Sequence, residues 1–276
     1  MGLRRRGDHL GRACVHSHFD GTCNPDSPNH WFKAFLDSEG TDIYRQDYTI
    51  WDGALLPEIV AQLEADYAGS VYYDRYIKGL WTQAEGLVYP CYADAFEPLW
   101  DGSATRYAVS CDYGTQNAFA ALLWACDGRS WHVVKEYRYS GRDTGHQKTD
   151  ADYVADMVAF LGDLPRDTPF IIDPSATSFH AAMRRAGLTV RKARNAVEDG
   201  IRETAACMQA GTVEIADCLP ELAKEFAGYV WDARKGGDAP VKEDDHLMDA
   251  LRYGVATLRM WRGREEYVSP FEKRRR

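Results

Sequence analysis

Apolar and polar positions fall into short, sharply bounded runs along the second half of the chain, and that spacing predicts alternating strands and helices. Runs at 107–111, 118–126 and 131–139 are joined by tight polar turns, one of them Asp127-Gly128, so an antiparallel three-stranded meander is predicted. After a polar loop at 140–149 come a helix at 151–161, a short buried strand at 169–173 and a helix at 178–186. A strand at 188–192, a helix at 200–210, a short strand at 212–215 and a helix at 219–226 follow. This alternation implies an α/β fold with helices packed on a mixed sheet. Residues 229–242 have the pattern of a small projecting hairpin around Lys235-Gly236-Gly237-Asp238. A last helix is expected at 243–262, with an apolar stripe of Leu247, Ala250, Leu251, Gly254, Val255 and Leu258.

The first half is less regular. Residues 1–20 show little periodicity, 21–28 form a turn-rich loop, and 31–36 are rich in aromatic side chains. Residues 44–50 alternate like a strand. Helices are expected at 57–67, with Pro57 in the first turn and Gly69 near the end, and at 70–80. Pro90, Pro98 and Gly102 break the pattern, so a linker is placed at 90–103. The expected units are 1–95, 104–262 and a basic tail at 263–276.

Composition narrows the class. The 276 residues can bury a sizeable core, and no apolar run is long enough to span a membrane, so a cytoplasmic location is expected. Seven cysteines with no CxxC spacing argue against a disulfide framework or a structural zinc site. The net charge of −9 runs against nucleic-acid binding, but basic charge is local: Arg184, Arg185, Arg191, Lys192 and Arg194 cluster, and the chain closes on Lys273-Arg274-Arg275-Arg276. No GxxxxGK[ST] motif occurs, so the chain as given is not expected to hydrolyse ATP.

The candidate chemistry is carboxylate. Asp112 ends the first predicted strand and Asp173 a later one, while Asp244, Asp245, His246 and Asp249 fall in the first turns of the last helix. Each position has an ordinary explanation, since Asp starts turns and caps helices. Together they are a set of hard ligands without a thiolate, which favours Mg²⁺ or Mn²⁺ over zinc. Asp245, His246 and Asp249 can share a helical face, and Arg252 and Tyr253 are expected to face away from it as packing and ion-pair residues. Two ions held by such acids would suit in-line phosphodiester hydrolysis.

Four motifs carry a resemblance: Ser110-Cys111-Asp112-Tyr113-Gly114, Ile172-Asp173-Pro174-Ser175-Ala176, Glu198-Asp199-Gly200-Ile201 and Asp245-His246-Leu247-Met248-Asp249-Ala250-Leu251-Arg252-Tyr253. Together they resemble the large terminase subunit of tailed bacteriophages over about residues 104–260. The resemblance implies an RNase H-like nuclease fold, with Asp112, Asp173 and Asp249 as catalytic metal ligands and Asp245 and His246 beside them. It further implies DNA contacts from Lys192, Arg194 and Lys235, although Asn195 stands where related sequences often have a lysine. Thr22-Cys23-Asn24-Pro25 resembles the family's motor-coupling motif, so residues 1–95 are expected to be the remnant of an ATPase domain. Double-stranded DNA, a portal protein and a small terminase subunit are the implied partners, in the host cytoplasm and transiently at the procapsid portal. The competing expectations are another RNase H-like nuclease, of resolvase or transposase type, and an inactive docking module for portal or small terminase.

Overall fold

The structure, a computed structural model, describes residues 20–28, 30–40, 42–90, 92–114, 117–232 and 238–258. Expectations for residues 1–19, for Lys235 and for the tail 263–276 lie outside these residues.

Helix α1 (Trp31–Leu36) and helix α2 (Pro57–Tyr67) precede a π-helical turn at Tyr73–Ile77 and a 3₁₀ turn at Tyr92–Ala95. Strand β1 (Phe96–Glu97) leads into the meander β2 (Arg106–Asp112), β3 (Phe119–Cys126) and β4 (Trp131–Tyr139). Then follow α3 (Gly141–Thr144), α4 (Asp150–Leu161), β5 (Phe170–Ile172), α5 (Thr177–Arg185), β6 (Val190–Lys192), α6 (Val197–Gln209), β7 (Val213–Ala216), α7 (Pro220–Gly228) and α8 (His246–Leu258).

The strands form one mixed sheet in the order β1-β7-β4-β3-β2-β5-β6, with β2–β3–β4 antiparallel and the flanking pairs parallel. Strand β3 is apolar at all eight positions and lies mid-sheet with both faces covered, so every one of its residues is buried. Two cores result. Tyr153, Met157, Phe160, Phe179 and Met183 of α4 and α5 pack on one face with Val109 and Cys111, whereas α6, α7 and α8 pack on the other with Ala108 and Ile171. Tyr72, Ala84, Val88 and Tyr89, from before the meander, join this second core.

Several expectations are corrected. Residues 44–50 form no strand: Tyr44 and Tyr48 are exposed, and no described strand lies alongside to take their backbone hydrogen bonds. The helix expected at 70–80 is a π-helical turn that buries Arg75 and Ile77 and closes at Ile77, after which Gly79, at a left-handed φ of 70°, turns the chain away. The linker at 90–103 is partly structured, because Phe96 and Glu97 pair with Ile215 and Ala216 at the sheet edge. The loop at 140–149 holds the short helix α3, capped by Ser140. The last helix begins at His246 rather than 243. Asp244 adopts a left-handed φ of 46°, which an α-helix excludes and which Asp tolerates better than most residues.

Candidate metal and nucleic-acid site

Strand pairing places the first two acids. Cys111 and Ile172 are partners in the parallel β2–β5 pair, so Asp112 and Asp173, one residue further along each chain, come side by side at the strand ends. Side chains alternate across a strand. Ala108 and Ile171 face the α8 side, so Asp112 and Asp173 emerge on that side too, where α8 packs against β2 and β5.

Close packing allows α8 to lie there. A Cβ on Gly254 would stand 2.2 Å from Trp124 Cζ2, and the Trp124 indole is itself fixed by donating to Ser110 Oγ at 2.8 Å. At the other end, Glu225 of α7 accepts from the amides of Leu247 at 2.7 Å and Met248 at 3.2 Å, satisfying donors that a helix start leaves free. Burial pushes the Glu225 carboxyl up to about 7 against those amides. The sequence reading missed Glu225, although a Glu three residues after Leu222 on the buried face of α7 marks it.

Asp112, Asp245, His246 and Asp249 surround a cavity of about 550 Å³ that Arg138 and Lys242 also line. His246 Nδ1 lies 2.9 Å from Asp112 Oδ2. The Asp112 contact raises the His246 pKa, while Asp112 does not move down as a simple ion pair would require. Burial pushes Asp112 up and outweighs His246, with Asp249 and Asp245 adding repulsion. Lys242 Nζ sits 2.9 Å from Asp245 Oδ2 and 3.3 Å from Asp249 Oδ2. The other Asp249 oxygen accepts from Arg252 Nη2 at 2.7 Å.

Asp173 is the predicted ligand held apart. Its carboxylate accepts from the Ser175 amide at 2.7 Å and from Asn195 Nδ2 at 3.1 Å, and it does not line the cavity. Burial opposes its ionisation, but hydrogen bonds from Ser175, Asn195 and Tyr253 outweigh burial and hold it below the usual carboxylate range. The expectation that Arg252 and Tyr253 face away from the acids is therefore corrected. Arg252 is buried, grips Asp249, and donates from Nη1 to the carbonyls of Asn195 at 2.9 Å and Ala196 at 3.0 Å. A bare helical wheel omits its reach: a long side chain leans toward the N-terminal turn, where Asp249 stands three residues earlier.

Among the described residues, no three His, Cys, Asp or Glu side chains are gathered closely enough to hold a metal ion as they stand. The donor set nevertheless fits one, since hard anionic oxygens converge on a polar cavity and are met by the protein's own cations. Of the predicted DNA-contacting residues, Lys192 is exposed at the end of edge strand β6, while the Arg194 guanidinium turns back to the Ala256 carbonyl at 3.4 Å. Among the described residues five cysteines are free, with Cys111 and Cys126 buried and Cys23 and Cys218 exposed.

No family model and no curated protein matches the chain. Among solved structures, it is similar to the large terminase of a thermophilic bacteriophage in complex with ADP: 38% identity over 86% of this chain and 61% of that one, at a TM-score of 0.81. The chain thus spans less than two thirds of that relative. It is similar in fold to the nuclease domain of the P22 large terminase, at 17% identity over 63% of this chain and 93% of that one, with a TM-score of 0.52. The large terminase nuclease of thermophilic phage G20c with bound magnesium gives 14% identity, 63% and 98% coverage, and a TM-score of 0.50. The sheet has the RNase H-like arrangement of these nuclease domains.

Proposed function

This chain is related in sequence and fold to the large terminase subunits of bacteriophages, and on that premise we propose that it is a divalent-metal-dependent DNA endonuclease that cuts concatemeric viral DNA during genome packaging. The observation that carries the reading is the convergence of Asp112, Asp245, His246 and Asp249 on one polar cavity at the end of β2, with Asp173 beside Asp112 in register.

On this reading residues 104–262 are the nuclease and residues 1–95 the end of a motor domain. Asp112, Asp173 and Asp249, with Asp245 and His246 beside them, would hold Mg²⁺ or Mn²⁺, two ions in all. Bound there, the ions would activate a water and stabilise the leaving oxygen. The chain's own groups set the stage. Arg252 fixes the Asp249 rotamer, Glu225 holds the first turn of α8 in place, and His246 orients Asp112. Lys192 is free to meet a phosphate, whereas Arg194 must first leave the Ala256 carbonyl. Double-stranded DNA is the proposed substrate, with a portal protein and a small terminase subunit as partners at the procapsid.

The test is a plasmid cleavage assay with the purified chain and Mn²⁺. Nicking and linearisation are expected, and Asp173→Ala should abolish both. Uncut plasmid, or an Asp173→Ala variant that cuts like the parent, overturns the reading.

A further inference from the structure

We propose that Lys242 is a tethered counter-ion that occupies the cation seat between Asp245 and Asp249, so that a divalent ion enters this part of the site only when Lys242 withdraws. The inference rests on the reading of these acids as metal ligands.

The seat cannot hold both. Lys242 Nζ already lies 2.9 Å and 3.3 Å from one oxygen of each acid, and a magnesium ion needs such oxygens at about 2.1 Å, in the space the ammonium fills. The two basic groups on Asp249 differ in freedom. The Arg252 side chain is 2% exposed and anchored to two backbone carbonyls, so it stays; the Lys242 side chain is 51% exposed and can swing into water. Lys242 is thus the displaceable cation.

What holds Lys242 in place comes from far away in sequence. Its strand segment pairs with residues 230–232 through Asp232 N to Ala239 O at 2.8 Å and Val241 N to Val230 O at 2.9 Å. That segment pairs in turn with residues 86–88, through Trp231 N to Gly86 O at 3.0 Å and Val88 N to Tyr229 O at 2.9 Å. Four residues before Lys242, the buried carboxylate of Asp238 is clasped by the guanidinium of Arg75, which is itself buried, pairs with Asp26 at 3.0 Å and donates to the Thr82 carbonyl. Asp26 directly follows Thr22-Cys23-Asn24-Pro25. The Asp26–Arg75–Asp238 contact therefore ties the front of the chain to the segment that delivers Lys242, and loosening it should release the lysine.

The experiment is calorimetric titration of the metal-free chain with Mn²⁺, with Arg138→Gln as the control. Arg138 lines the same cavity and carries the same charge, but it pairs with Asp143, Asp244 and Glu225 rather than with Asp245 or Asp249. Lys242→Gln should bind Mn²⁺ about tenfold more tightly than the parent, Arg138→Gln no more than about twofold, and Asp238→Asn about threefold. In the parent, acylation of Lys242 by an amine-reactive reagent, read by mass spectrometry, should rise when Mn²⁺ is added. Unchanged or weaker binding by Lys242→Gln, or an equal gain in Arg138→Gln, overturns the proposal. Unchanged affinity in Asp238→Asn removes the link to Arg75. If neither the parent nor Lys242→Gln binds Mn²⁺, the nuclease reading fails instead.

Discussion

Asp112 is a carboxylate that the fold keeps at a cost. Burial and two neighbouring acids oppose its charge, and the His246 contact that favours it does not outweigh them. Asp112→Asn is therefore expected to melt at the same temperature as the parent or a few degrees higher, while Mn²⁺-dependent cleavage falls by at least about a hundredfold. A large loss of stability would make Asp112 a packing residue instead. Glu225 gives a pH signature. Its folded-state pKa, about 7 against an ordinary 4.5, means that the folded chain binds the proton more tightly than the unfolded one. Its contribution is thus fully present below about pH 4.5 and is lost as pH rises through about 7, a change of about 3 kcal/mol. Denaturant unfolding in metal-free buffer should show this slope, and Glu225→Gln should flatten it by gaining on the parent between pH 5 and 8.

Helix α8 is the element on which the site depends, and its fit against the sheet is tight. Gly254→Ala is expected to cost about 1–3 kcal/mol in thermal melts despite alanine's better helix propensity, because Trp124 is held by Ser110 and cannot step aside. Arg252→Met should cost about 3 kcal/mol or more, since Asp249 and two carbonyls lose a buried donor together. The apolar stripe of this helix was legible in sequence because a period near 3.6 is local. Its start was not: the left-handed turn at Asp244 and the Glu225 contact come from outside the stripe.

Across the whole molecule, order is unevenly spread. Helices α1 and α2 bury no residue completely, and Trp31, Tyr44, Tyr48, Trp51 and Leu56 are exposed, whereas Tyr72, Ala84, Val88 and Tyr89 are built into the sheet's second core. Limited proteolysis should cut within 42–56 before it cuts within any of the buried strands β2, β3 and β5, as mass spectrometry of the fragments would show. Early cuts within β2 or β3 themselves would contradict this distribution of burial.

The meander, the β-α alternation and the candidate acids were legible in the sequence alone, because alternation and spacing are properties of neighbouring residues. Tertiary structure decided which acids meet. Asp112 and Asp173 are neighbours only through the β2–β5 register, and Asp173 is then drawn away by Asn195, a residue the sequence offered merely as a missing lysine. It also decided that 44–50 has no strand to pair with among the described residues and that Phe96 and Glu97, read as linker, close the sheet edge. Above all it set Lys242 and Arg252 on Asp249, since ion pairs among side chains depend on where elements pack and not on the order in which they are written.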